Sequence, residues 1–158
     1  MSKKKESERQ DEAGGRTSLQ KLLAEATRAE IESAATYRSL LDRDLPEETR
    51  SKLERLVEQE EEHEDKLWDI LGDFFPEEEV TLPESSGIED PGEVSQEASP
   101  EELIEKAMEA ELDSEEFYRE LIEEFEDQEI KRLLGFLAST EREHYEILKE
   151  ELKKLRSS

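Results

Sequence analysis

Apolar residues recur at intervals of three and four along four stretches of this 158-residue chain, the spacing that gathers them on one face of an α-helix. The first stretch, about 18–42, carries Leu19, Leu22, Leu23, Ala26, Ala29, Ala34, Tyr37, Leu40 and Leu41, with Thr17 or Ser18 available as its N-cap. Asp44-Leu45-Pro46 makes a short connection into a second helix over 46–71, whose apolar positions are Leu53, Leu56, Val57, Leu67, Ile70 and Leu71. So short a link folds the second helix back antiparallel to the first, and Gly72 stands where a C-terminal stop is expected. The third helix, over 100–125, opens with Ser99-Pro100-Glu101-Glu102, which supplies an N-cap, a Pro in the first turn and a Glu for a capping box. Asp127 caps the fourth, over 128–155, and Gly135 inside it lowers helix propensity and predicts close approach by a neighbour.

Between the helix pairs, 73–98 is acidic and Ser-rich and is punctuated by Pro76, Pro83, Gly87, Pro91 and Gly92, so it is not a helix. A loop this long inside one small domain needs a reason. Two antiparallel pairs related by a pseudo-twofold axis start at the same end, and the chain must travel the length of the bundle to begin the second pair. Phe74, Phe75, Val80 and Leu82 are placed to pin this crossover to the bundle surface. The expected fold is therefore all-α, an antiparallel four-helix bundle over 18–155 whose two helix pairs are joined by a long crossover. Residues 1–17 are expected as a disordered polar tail ending near Gly14-Gly15, with Lys3 to Lys5 as a small basic cluster in it.

Charge narrows the partners. With 22 basic and 47 acidic residues the net charge is −25, which disfavours nucleic acid and anionic membranes as partners and concentrates cations instead. The acid runs Glu58 to Asp65 and Glu77 to Glu79 read first as solvated surface. The chain has no cysteine, so disulfides and thiolate-held iron–sulfur clusters are excluded within it. No apolar run reaches membrane-span length and the N-terminus lacks the apolar segment of a secretory signal, so a cytoplasmic protein is expected.

The chemistry lies in a repeat. Glu60-Glu61-Glu62-His63 and Glu141-Arg142-Glu143-His144 each follow a Glu by 30 positions, Glu30 and Glu111, and each of these is followed seven positions on by a Tyr, Tyr37 and Tyr118. The offset of 81 also lays Leu22 on Leu103, Ala26 on Ala107, Leu40 on Leu121, Leu53 on Leu134, Leu56 on Leu137, Leu67 on Leu148 and Leu71 on Leu152. Glu is abundant, so one Glu-x-x-His is weak evidence; a core and a ligand set kept in the same register are strong. Residues three or seven apart share a helix face, which puts Glu30 and Glu111 on core-facing stripes. A buried carboxylate without a partner is costly enough to be neutralised, and few cations stand at matching positions. Two divalent metal ions would balance four Glu charges, and two imidazoles would add neutral ligands.

A Glu from each of two helices and a Glu-x-x-His from each of the other two is the ligand pattern of di-iron and di-manganese carboxylate bundles. The chain thus resembles the ferritin-like superfamily, and within it the rubrerythrin-like branch, through Ala29-Glu30 to Tyr37 with Glu60 and His63, and Ala110-Glu111 to Tyr118 with Glu141 and His144. The resemblance implies two iron ions, with manganese or another divalent metal as the alternative. Glu60 and Glu141 would bridge them, Glu30 with His63 would hold one, and Glu111 with His144 the other. Tyr37 and Tyr118 would hydrogen-bond the ligand carboxylates and orient them. It implies reduction of peroxide or dioxygen with electrons from an external donor protein, and it leaves a homodimer open.

Two departures qualify the likeness. Rubrerythrins carry a further Glu three residues after the third-helix ligand, where this chain has Ser114, with Glu115 one position on. Glu115 reads either as a displaced extra ligand or as a solvated carboxylate; its counterpart in the first half is Ala34. Rubrerythrins also carry a four-cysteine electron-delivering domain, which a chain without cysteine does not supply. A ferroxidase that handles iron and a metal-free structural bundle are the alternative readings, and Trp68 reads as a packing residue at the bundle end.

Overall fold

The computed structural model describes the backbone of residues 2–86 and 98–157, and the side chains within those ranges from residue 18 on. It contains α1 (Ser2–Leu41), α2 (Glu47–Phe74), α3 (Pro100–Ile122) and α4 (Gln128–Ser157). The closest packing is within the pairs α1·α2 and α3·α4, and the pairs join through α1·α3 and α2·α4. This is the expected all-α four-helix bundle, and among the described residues no strand occurs.

The ends of the helices show where local sequence rules hold and where packing overrides them. Ser99 Oγ accepts from the Glu102 backbone N–H at 3.1 Å, and Asp127 Oδ1 accepts from Glu129 N and Ile130 N at 2.9 and 3.2 Å, so both predicted caps engage orphan helix donors. At the α1 terminus Arg50 reaches back from α2, donating to the carbonyls of Leu41 and Arg43 at 2.5 and 2.8 Å, which satisfies one acceptor that the helix leaves open and one in the turn that follows. Gly72 does not stop α2, which continues to Phe74 because Phe74 and Phe75 pack onto the bundle core. α1 begins at Ser2 rather than near Ser18, so the stretch expected as a tail over 1–17 is helical in its backbone from Ser2. Its Lys, Glu, Arg and Gln residues are good helix formers that extend an existing helix without a new nucleation cost. They carry no apolar face, and periodicity alone therefore does not reveal them.

Gly135 also departs from expectation. A Cβ there would meet Ile122 Cδ1 at 3.9 Å, an ordinary contact, so no close helix approach requires the glycine. The crossover behaves as expected as far as it is described: Val80 packs against the core, Gln20 donates to Glu78 at 2.7 Å, and Ser86 N donates to Glu32 Oε1 at 2.7 Å. It thus runs along α1; its part over 87–97 lies outside the described residues. Trp68 is half-buried on the same core and donates to Glu64 Oε2 at 3.1 Å.

The core has two apolar clusters. One contains Leu23, Ala26, Leu67, Leu71, Tyr118, Leu121, Leu134 and Leu137; the other contains Ile104, Ala107, Leu148, Leu152, Tyr37, Leu40, Leu53 and Leu56. Taken in that order, each residue of the first is 81 positions from its counterpart in the second. The repeat therefore exchanges the two clusters, as a pseudo-twofold axis would. Along α1, Leu23 and Ala26 belong to one cluster and Tyr37 and Leu40 to the other, so Glu30 falls in the layer between them.

Candidate metal centre

That layer is polar and buried. Glu30, Glu60, His63, Glu111, Glu141 and His144 come from all four helices, and each is at most 2% exposed. They form two overlapping groups, Glu30, Glu60, His63 and Glu141, and Glu60, Glu111, Glu141 and His144, with the candidate ligand atoms of each group within 4.8 Å of one another. Glu60 and Glu141 belong to both groups. His63 Nδ1 lies 3.1 Å from Glu141 Oε1 and 3.5 Å from Glu30 Oε2. His144 Nδ1 lies 2.7 Å from Glu60 Oε1 and 3.4 Å from Glu111 Oε1. The two rings are nearly parallel, 11° apart with centroids separated by 6.0 Å.

Hydrogen bonding does not account for this gathering. The buried atoms Glu30 Oε2, Glu111 Oε2 and His144 Nδ1 make no hydrogen bond, although His144 Nδ1 has carboxylate oxygens close by. The ligand atoms converge on common points instead of pairing along donor–acceptor lines. Buried polar atoms in this condition call for a partner from outside the chain such as an ion, and the oxygen and imidazole donors suit a divalent transition metal. The residues present therefore fit a pair of such ions.

The tyrosines cross between halves. Tyr37 donates to Glu111 and Tyr118 to Glu30, so each hydroxyl serves the carboxylate of the other repeat. Burial, and next the neighbouring carboxylates, push both phenols well above their ordinary range, which keeps them neutral donors. Burial alone would raise the carboxylates too. In Glu30 contacts with Glu60, His63 and Tyr118 overcome it and bring the carboxyl to about 2. In Glu141 burial is reinforced by the charges of Glu111, Glu30 and Glu60, and its pKa is raised well above the ordinary carboxylate value. Without metal, then, the layer favours the ionised form of Glu30 and the protonated form of Glu141.

Glu115 sits outside both groups. It is buried rather than solvated, and it pairs with Arg119 Nη2 at 3.0 Å and Arg142 Nη2 at 2.9 Å, which compensate its charge and hold its oxygens away from the six converging side chains. Sequence reasoning missed those two arginines, and it missed Gln59, whose Oε1 lies 2.8 Å from His144 Nε2. Gln59 directly precedes Glu60, but the repeat places Thr140 opposite it, so a search for duplicated residues passes over it. A second buried polar cluster also escaped notice: Glu151 accepts from Thr49 and Lys52, each at 2.8 Å, and from Lys154 at 3.3 Å. It occupies the position that the repeat assigns to Ile70 in the other half.

Comparison with known proteins agrees with this architecture. Residues 21–152 match the rubrerythrin family model. A solved structure of a hypothetical protein from Pyrococcus furiosus has a TM-score of 0.80 at 34% sequence identity, covering 88% of this chain and 90% of that one. An uncharacterized protein from Archaeoglobus fulgidus is 47% identical over 58 residues, 37% of this chain and 90% of the relative.

Proposed function

The chain belongs to the rubrerythrin family, and from that premise we propose that it is a di-iron oxidoreductase that reduces peroxide or dioxygen with electrons from an external donor protein. The observation that carries the proposal is the pair of buried groups sharing Glu60 and Glu141. Glu30 and His63 complete one subsite, and Glu111 and His144 the other. An iron pair bound there supplies two electrons by passing between its ferrous and ferric states.

The protein's part is positioning and electrostatics. The apolar clusters on either side keep water out of the layer, which strengthens every charge interaction within it. Tyr118 and Tyr37 hold Glu30 and Glu111 in place by donating to them. A cation held by Glu141 would displace the proton that burial and the neighbouring carboxylates favour there, so loading would be coupled to proton release. The net charge of −25 raises the local concentration of cations around the bundle and equally supports a ferroxidase that handles iron. A cytoplasmic setting belongs to the same proposal; among the described residues no helix is long and apolar enough to cross a membrane.

The test is anaerobic loading of the full chain with ferrous iron, followed by hydrogen peroxide and then a chemical reductant. Two irons per chain, oxidised by peroxide and restored by reductant through repeated cycles, are expected. Continued accumulation of ferric iron beyond two per chain would favour iron handling, and failure to bind iron would overturn both readings.

A further inference from the structure

The repeat duplicates the six candidate ligands but not what stands behind the imidazoles. His144 Nε2 lies 2.8 Å from Gln59 Oε1. An amide oxygen only accepts, so Nε2 is the donor in this contact, and Nδ1 is the nitrogen that faces Glu60 and Glu111 and is placed to bind an ion. In the other half the place of Gln59 is taken by Thr140. Its hydroxyl donates to the Phe136 carbonyl at 2.9 Å, one turn back in its own helix, and its side chain is shorter by two atoms. Thr140 therefore does not do for His63 what Gln59 does for His144. The Glu115 pairings with Arg119 and Arg142 are likewise confined to the second half, since the counterpart of Glu115 is Ala34.

Sharing of Glu60 and Glu141 has its own consequence. The first ion to enter has both shared carboxylates to itself, and the second must divide them with it. Two ions of like charge also repel. The two binding steps would therefore differ in affinity even in a symmetric site, and whatever distinguishes the two halves decides which subsite fills first.

We infer that Gln59 is a positioning residue that makes the two metal subsites unequal, so that the group containing Glu111 and His144 takes the first divalent ion and the group containing Glu30 and His63 takes the second. This rests on the proposed reading of the two groups as metal subsites. A partner on the far nitrogen of a ligating histidine fixes its tautomer and ring orientation, and its loss costs about 10–100-fold in metal affinity. A difference of that size between the subsites is sufficient to separate the two steps.

The chain has two histidines, so ring signals report the order directly. The experiment is stepwise addition of Zn2+ to the full chain, stripped of metal and labelled with 15N-histidine, followed by imidazole NMR and by calorimetry. The His144 signals should complete their change at one equivalent and those of His63 between one and two. In Gln59→Met the first step should weaken by about 10–100-fold and the two rings should respond together, whereas Gln59→Glu, which retains an acceptor at that position, should restore the order. A response of His63 first, simultaneous responses in the wild type, or an unchanged order in Gln59→Met would overturn the inference. Absence of any response in either ring at two equivalents would instead overturn the metal reading itself. Gln59 is half-buried, and matching circular dichroism of the variants would confirm that the fold is retained.

Discussion

Replacing Glu141 with Gln should leave the metal-free protein at least as stable as wild type near neutral pH, while removing the stabilisation that metal confers. Burial, then the charges of Glu111, Glu30 and Glu60, raise this carboxyl well above its ordinary value of 4.5. Above pH 4.5 the unfolded chain has released that proton and the metal-free native state still holds it. The native state thus binds more protons, so wild-type stability falls as pH rises from the ordinary value through the raised one. Gln is neutral at every pH and close in shape, so the variant lacks this loss. The scale is set by repulsion between carboxylates, about 4 kcal/mol for a pair about 4 Å apart at an effective dielectric constant of about 20, most of which protonation already relieves in the metal-free wild type.

Metal reverses the comparison. A divalent ion at about 100 times its Kd adds about 2.7 kcal/mol, which for a chain of this size raises Tm by roughly 5–11 °C. Glu141 is shared by both groups, so Glu141→Gln should forfeit this gain. Thermal unfolding of both proteins followed by circular dichroism at about pH 5 and about pH 8, with and without anaerobic ferrous iron, reads the pH dependence and the gain from metal. A metal-free variant less stable than wild type by more than about 3 kcal/mol, the cost typical of breaking a buried charged pair, would refute the protonation argument. An undiminished rise in Tm with iron would refute the ligand assignment.

Three further outcomes follow from particular contacts. Gly135→Ala should stabilise the chain by about 0.5–1 kcal/mol, measured by urea denaturation, because the added methyl meets only Ile122 at 3.9 Å; a loss of stability would show that the helix needs the glycine. Tyr118→Phe and Tyr37→Phe remove charge-assisted donors to Glu30 and Glu111 and should each cost about 1.5–3 kcal/mol in the metal-free protein, and neutral costs in chemical denaturation would rule the tyrosines out as carboxylate anchors. Burial raises the Glu151 carboxyl, but hydrogen bonds from Lys52, Thr49 and Lys154 outweigh it and lower the pKa; its stabilising contribution is therefore complete above the ordinary value and disappears as pH falls through the lowered one. Glu151→Gln should flatten that acid limb of the stability profile, by less than about 2 kcal/mol because the lysines are partly exposed and screened.

The legible part of this protein is what its repeat and its periodicity encode together. Four helices, two of the caps and the gathering of six ligand types follow from apolar spacing and from an offset of 81 that preserves core and carboxylates alike. What escaped follows from interactions that carry no period. The helical backbone of 2–17 has good helix formers but no apolar face. Continuation of α2 through Gly72 depends on where Phe74 and Phe75 find the core. Arg119 and Arg142 meet Glu115 only once α3 and α4 are packed, and nothing in the spacing of Glu115 distinguishes a carboxylate bound by arginine from one facing a metal or water.

The same contacts that escaped are those that break the symmetry. The exchange of the two apolar clusters needs matching volumes, and Leu opposite Leu provides them at the positions around the carboxylate–histidine layer. Away from that constraint the halves differ: Glu151 stands for Ile70, Glu115 for Ala34, and Gln59 faces Thr140 across the repeat. Each difference adds a polar contact that the repeat does not duplicate, and each engages α4, through His144, Arg142 or Glu151 itself. Of these contacts only that of Gln59 with His144 touches a candidate ligand, and it reaches α4 from α2. Both halves contribute the same donor types to the centre, so unequal behaviour of the two subsites must come from this surrounding shell.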